Sequence, residues 1–401
     1  MKTLLFFILV FLLFFYCGTD VEFKTAEMQQ VLTDVLTLEL TFGAEERVLK
    51  DEFLLARPIG IAANDQNDIL VVDENYVKVY DSSGKEKTMF GGTGQGPGEF
   101  NSPFNAIIAP SGYLTILDGK SINIYSPEHK FVTRKNLTRN VLLKMFLEEN
   151  NFAYYFIIKA IANDEKESVI QLLPQELQSE ELNIWFDVLI YDSPDTVIDI
   201  ASYRSQAVFI LSTTLEFKGD LFFEMLPANR VVFTHSLYDS NDKESIYTMH
   251  VMSLKTFKKF DISYNYLPVE IPEEVKKPYL GLGKGQSYNR DGTPVSTPPS
   301  IKRIFEAIKK TAKETKYYPA VKNIMADGNI IFVFTYLQNE KEEYFTDIID
   351  LESGKYLNSA YFAFIPQVIK NGYAYKFNDW LQNNEFALVE KYKIDPAVYG
   401  K

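Results

Sequence analysis

The chain has 401 residues, with 54 Asp and Glu against 41 Lys and Arg, a net charge of −13 and a single cysteine. Its acidic residues are spread along the chain, which argues against a nucleic-acid partner, whose phosphates demand a basic face. The one cysteine, Cys17, lies near the start, so disulfides and thiolate zinc sites are excluded from everything after it. Aromatic residues make up 14 %, which fits the filled inter-sheet cores of a β-rich protein.

Met1-Lys2-Thr3 leads into Leu4–Tyr16, an apolar run of 13 residues without a charge. That is the pattern of an export signal, and it is shorter than the roughly 20 residues of a membrane span. Cys17 follows directly, with Gly18 next. A cysteine there suits a lipoprotein signal, in which the thiol is acylated and becomes the new N-terminus. Tyr16 stands where a small residue is usual, which leaves an ordinary signal peptide or an uncleaved anchor open. The expectation is a lipoprotein-like signal over 1–17, Cys17 as the lipidation site, and a bacterial cell-envelope location held to a membrane through lipid. Residues 18–50 read as a tether and lead-in strand. Within them Leu38–Phe42 alternates and suits the strand that closes a ring.

Two stretches then repeat each other at a step of 45 residues without a gap. Pro58 falls on Pro103, Asp73 on Asp118, Tyr80 on Tyr125 and Lys85 on Lys130. A period of roughly 40–50 residues with several short strands per unit is the signature of a β-propeller. In the first unit the strands read Ile59–Ala63, Ile69–Asp73, Val77–Tyr80 and Lys87–Phe90. The second unit repeats them from Phe104 to Leu137. Residues 138–215 offer Phe152–Ile161, Trp185–Tyr191 and Ala207–Ser212 as strands, with Leu172–Leu182 as a short helix or loop. Arg230–Thr234, Ile246–Met252 and Lys258–Ile262 read as a fourth blade. Asn329–Thr335, Tyr344–Asp350 and Tyr356–Phe362 read as a fifth, and Val368–Ile369, Gly372–Lys376 and Phe386–Tyr392 as the last. The expected fold is all-β, a six-bladed propeller over 51–396, with seven blades if 138–215 holds two.

Residues 272–316 break the pattern. A Gly- and Pro-rich stretch precedes Ile301–Thr315, where Ile301, Ile304, Phe305, Ile308 and Ala312 share one helical face. Lys302, Arg303, Lys309, Lys310 and Lys313 lie mostly on the other, and Pro299-Ser300 supplies a start. This reads as an inserted amphipathic helix that caps the ring, or one that docks a partner or a membrane surface.

The repeats resemble the NHL-type propeller. The resemblance rests on Pro58-Ile59-Gly60-Ile61-Ala62, Ile69–Asp73, Val77-Lys78-Val79-Tyr80-Asp81, and the linker Gly94-Gln95-Gly96-Pro97-Gly98-Glu99-Phe100. Further on, Tyr264-Asn265-Tyr266-Leu267-Pro268-Val269, Tyr318-Pro319-Ala320-Val321 and Lys370-Asn371-Gly372-Tyr373-Ala374-Tyr375 are similar to six-bladed propeller lipoproteins of bacteria. That resemblance implies a fold and an envelope location, and no particular activity.

The chain carries no familiar catalytic pattern. Gly91–Gly98 lacks the Lys-Ser/Thr of a P-loop, and Pro97 stands where a dinucleotide fingerprint needs its last glycine. The three histidines, His129, His235 and His250, form no close pair, and no serine sits in a nucleophile elbow. Asp73 and Asp118 end equivalent strands, where an Asp bonds nearby amides and shapes a turn. Blade topology puts Arg57, Asp73, Asn75, Asn105, Asp118 and Lys120 at one mouth of the ring. Later blades add His235, Tyr238, Tyr336 and Trp380 there. Such a mouth suits a polar ligand, and equally an oxygen-ligated Ca²⁺. Two functions follow: a non-enzymatic binding or scaffold module for a glycan, peptide or protein, or a Ca²⁺-dependent, lactonase-like hydrolase.

Overall fold

The computed structural model describes residues 31–44, 50–177, 185–205, 215, 217, 219–236, 245–283, 287–288, 294–295, 297–377 and 386–401. Six four-stranded antiparallel sheets stand around one axis, and the protein is an all-β six-bladed propeller. Blade 1 is Pro58–Ala63, Ile69–Asp73, Tyr76–Tyr80 and Glu86–Gly91, counted from the axis outward. Blade 2 is Pro103–Ile108, Leu114–Asp118, Ser121–Tyr125 and Phe131–Asn136. Blade 3 is Phe152–Ala162, Ser168–Glu176, Phe186–Asp192 and Val197–Arg204. Blade 4 is Asp220–Leu226, Arg230–Ser236, Ile246–Ser253 and Lys259–Asn265. Blade 5 is Asn323–Asp327, Ile330–Gln338, Tyr344–Asp350 and Lys355–Phe362. Blade 6 takes three strands from the end of the chain, Val368–Lys370, Tyr373–Phe377 and Val389–Ile394. Its outer strand is Leu36–Phe42, from near the start.

That last pairing closes the ring. Leu36 faces Ile394 and Phe42 faces Val389, with a bulge at Glu39. The second strands of blades 1 and 2 are covered on both faces by neighbouring blades, so they read as largely apolar runs. All five residues of Ile69–Asp73 and of Leu114–Asp118 are buried. Outer strands are less buried, as in Val197–Arg204, none of whose residues is fully buried, because one side meets solvent. The apolar core is divided into six clusters, one at each blade interface.

The described residues between 138 and 215 form a single blade, so the count is six. Leu172–Leu182 is corrected: its first part belongs to the strand Ser168–Glu176, which pairs on both sides with blade 3 neighbours. Ala207–Ser212 lies outside the described residues. Before blade 3 comes helix α1, Val141–Glu149, which had no counterpart in the strand pattern. Asn140 caps it by accepting from the Leu143 amide, and Leu143, Phe146 and Leu147 pack into the interface of blades 2 and 3. Helix α2, Glu273–Leu280, and helix α3, Pro299–Glu314, fall between blades 4 and 5. The α3 residues Ile304, Ile308 and Ala312 pack with Leu215, Phe217, Ile271 and Tyr279 in a seventh apolar cluster.

One buried charge joins blades 4 and 5. Asp347 accepts hydrogen bonds from the Tyr247 hydroxyl at 2.7 Å and the Tyr356 hydroxyl at 2.5 Å. Burial outweighs both donors and raises its carboxyl pKa to about 6. The folded state therefore holds this proton more tightly than the unfolded chain does. Its stabilising effect is present at low pH and fades as pH rises from about 4 to about 6, by up to roughly 3 kcal/mol. Urea unfolding of wild type and Asp347→Asn at pH 4 and pH 7 should show the variant gaining relative stability at the higher pH. A difference independent of pH would remove Asp347 as the cause.

Candidate functional site

The inner strands of all six blades line an axial cavity of about 590 Å³. By strand direction, every inner strand starts at one face of the ring, here the entry face, and ends at the other, the exit face. The loops between second and third strands also lie at the entry face. The cavity reaches the exit face, where Asp65, Pro110, Pro227, Gly328 and Asn371 of the inner turns border it.

Two ion pairs cross between blades in its wall. Lys159 Nζ of blade 3 is 2.7 Å from Glu224 Oε1 of blade 4, and it also donates to the Phe223 carbonyl at 2.7 Å. Both side chains are about one-fifth exposed. Lys370 of blade 6 lies 2.6 Å from Asp65 of blade 1. In a ring of six, the interfaces 3–4 and 6–1 are diametrically opposite. Each pair joins a lysine of one blade to an acid of the next, so cavity polarity also ties blades together.

Asn105 faces the same cavity. It sits at a bulge between Phe104 and Ala106 with a left-handed backbone, φ 76°. Asn tolerates that region better than most residues, yet it remains unfavourable. The neighbouring inner strand comes close: a Cβ on Gly60 would lie 3.0 Å from the Ala106 amide nitrogen. Among the described residues the Asn105 side chain has no hydrogen-bond partner. Asn323 and Gln367 also border the cavity, but their amide oxygens already accept from Ile324 N and Phe377 N.

The other residues expected at a mouth serve other purposes. Asp73 is buried and accepts from the amides of Ala56 at 3.1 Å and Arg57 at 2.5 Å. Its Oδ2 also meets Lys78 Nζ at 2.7 Å. Asp118 accepts from the amides of Asn101 and Ser102 in the same way. These amides stand 45 residues after those of Ala56 and Arg57, so the repeat extends into the hydrogen bonds. Tyr80 bonds the Phe53 carbonyl, and Tyr125 bonds that of Gly98, at the same step. The glycine-rich linker wraps its own carboxylate. The Gly96 amide donates to Glu99 Oε2 at 2.7 Å, and a Cβ on Gly94 would collide with that oxygen.

The Arg57 side chain is exposed, and Asn75 Nδ2 donates to Thr93 Oγ1 at 2.8 Å. Lys120 Nζ lies 4.2 Å above the Tyr155 ring, between blades 2 and 3. His235 stacks on Tyr203 at 4.1 Å, with Nε2 3.5 Å from Asp187 Oδ2, between blades 3 and 4. Tyr336 stacks on Tyr318 at 4.3 Å, and burial pushes its hydroxyl pKa up to about 12. These groups occupy separate interfaces and do not converge. Trp380, Tyr238 and Cys17 lie outside the described residues. Among the described residues, no three His, Cys, Asp or Glu side chains gather as a metal ion would need.

Residues 48–190 match the model of DUF5128, a six-bladed β-propeller family. The match spans blades 1 and 2 and most of blade 3. No curated protein matches the chain. A "Putative exported protein" from Bacteroides fragilis NCTC 9343 is similar at 13 % identity, covering 91 % of this chain and 98 % of its own, with a TM-score of 0.42. A protein of unknown function from Bacteroides caccae is similar at 11 % identity, covering 76 % of this chain and 81 % of its own, with a TM-score of 0.33. Likeness at this level carries no information on activity.

The two aspartate clamps differ in one partner. Lys78 of blade 1 is replaced at the equivalent place in blade 2 by Asn123. Asp73→Asn would strand the buried Lys78 ammonium, at a cost of about 3–5 kcal/mol. Asp118→Asn disturbs only hydrogen bonds to amides, at about 1–3 kcal/mol. Urea denaturation of both variants should rank them in that order, and equal losses would contradict the role given to Lys78.

Proposed function

We propose that this propeller is a non-enzymatic binding module that takes a polar segment of a peptide or glycan into its axial cavity. Asn105 carries the reading. An amide held on an unfavourable backbone, aimed into a polar cavity and left without a partner, is the arrangement of a group reserved for a ligand. The ion pairs Lys159–Glu224 and Lys370–Asp65 keep spare donors and acceptors in the wall of the same cavity. A scaffold role toward a protein uses the same wall, with the bound segment belonging to the partner.

The 45-residue echo, shared by sequence and by the aspartate and tyrosine hydrogen bonds, supports an NHL-type repeat. The module is placed in a bacterial envelope by Leu4–Tyr16 and held there by lipid on Cys17. Among the described residues no helix is long and apolar enough to cross a membrane.

Asn105→Gly separates binding from folding, because glycine accepts φ 76° without strain. The purified protein should be screened against an oligosaccharide array and a peptide library. The best ligand should bind Asn105→Gly at least about tenfold more weakly, consistent with one lost buried hydrogen bond. The melting temperature should hold or rise. Unchanged affinity would remove the cavity from the binding site. The anchor is tested separately: radioactive palmitate should label the wild-type chain and not Cys17→Ala, and equal labelling would refute it.

A further inference from the structure

We propose that the outer face of α3 is a docking surface for an anionic lipid bilayer. The helix spends its apolar side inside the protein: Ile304, Ile308 and Ala312 are buried against Leu215, Phe217 and Tyr279. What remains outside is mainly basic, with Glu306 and Glu314 as its two acids. Lys302, Arg303, Lys310 and Lys313 are exposed, and none has an ion-pair or hydrogen-bond partner among the described residues. Lys309 alone is taken up within the helix, by Glu306 at 2.8 Å. Pro299–Glu314 thus carries five basic residues against two acidic ones, in a chain whose overall balance is 41 against 54.

Charge segregated in this way on an acidic protein is attracted to an anionic surface and steers the approach to it. An exposed apolar group favours a bilayer over a soluble polyanion. Leu267 is 71 % exposed, and the next residues tie it to the end of α3. Tyr318 N bonds the Val269 carbonyl, and Ile271 N bonds the Lys316 carbonyl. Leu267 follows the outer strand of blade 4 at the same face, in the segment that leads to the basic helix, where it can enter the headgroup boundary while the lysines pair with lipid phosphates. The segment sits at the entry face, because it joins the end of an outer strand to the start of an inner one. Glu340 and Glu342, exposed at the same face, resist flat contact and confine the docking to the helix. Bound this way, the ring presents its exit face, where the cavity opens, away from the lipid. The inference does not require lipid on Cys17; where that lipid is present, α3 adds to its hold and orients the ring.

The test uses residues 18–401, which retain every blade strand, the first beginning at Leu36. The protein should sediment with vesicles of phosphatidylcholine containing about 30 % phosphatidylglycerol, and not with phosphatidylcholine alone. Binding should be lost at about 0.5 M NaCl, where the screening length falls to a few ångströms. Replacing Lys302, Arg303, Lys310 and Lys313 together by Gln should lower partitioning by about a hundredfold or more, at roughly fivefold per charge. The far-UV spectrum and melting temperature of that variant should be unchanged. This segment has no cysteine, so Glu314→Cys and Ser83→Cys place a polarity-sensitive dye at α3 and at the exit face. Vesicles should shift the first dye and leave the second. Equal binding to neutral vesicles, an unaffected quadruple variant, or a shift of both dyes would overturn the proposal. So would soluble polyphosphate that binds as tightly as the vesicles.

Discussion

Everything in this molecule depends on closing a ring. Five blades are built from consecutive strands, but the sixth has only three of its own, and Leu36–Phe42 supplies the fourth. Without it, Val389–Ile394 would present an unpaired edge and the interface of blades 6 and 1 would lose Phe42 from its core. Exposed edges invite pairing with other chains. Closure moves that edge outward to the seven-residue strand Leu36–Phe42, matching the outer edges of the other blades, and sets the position of blade 6 against blade 1. The cavity depends on closure where blade 6 meets blade 1, whose shared core Leu36–Phe42 completes with Phe42.

The charged residues divide into two sets with different roles. Asp73 and Asp118 are local fasteners that tie the segment before each inner strand to the end of the second strand. They keep the blades regular and leave nothing for a ligand. Lys159–Glu224 and Lys370–Asp65 link different blades and face the cavity, so they contribute to ring geometry and to its chemical surface together. Asn105 is different again, because its backbone is unfavourable and its side chain has no structural task.

Much of the fold was legible because blades 1 and 2 keep a strict 45-residue step, and their second strands are uninterrupted apolar runs. Blade 3 was not, for physical reasons. Ser168–Glu176 carries Pro174, and also Gln171, buried with its amide bonded to the Leu221 carbonyl of the next blade. A buried polar residue with a satisfied partner looks like loop sequence when the partner is not known. The Asn140 cap and the spacing of Leu143, Phe146 and Leu147 carried the signal for α1, but a search for strands passes over it. By strand order, the loops around Asp73 and Asp118 lie at the entry face. Sequence assigned Asp73 and Asp118 a role bonding nearby amides, but it could not show which amides those are, nor that Lys159 and Glu224, 65 residues apart, meet at the axis.

Native-state hydrogen exchange tests the central claim, that ring closure is a global constraint. If it is, the amides of Leu36–Phe42 that pair with Val389–Ile394 exchange only through complete unfolding, with the same free energy as the inner strands of blades 1 to 5. If Leu36–Phe42 instead exchanges through local opening while the inner strands stay protected, closure is an accessory and the cavity does not depend on it.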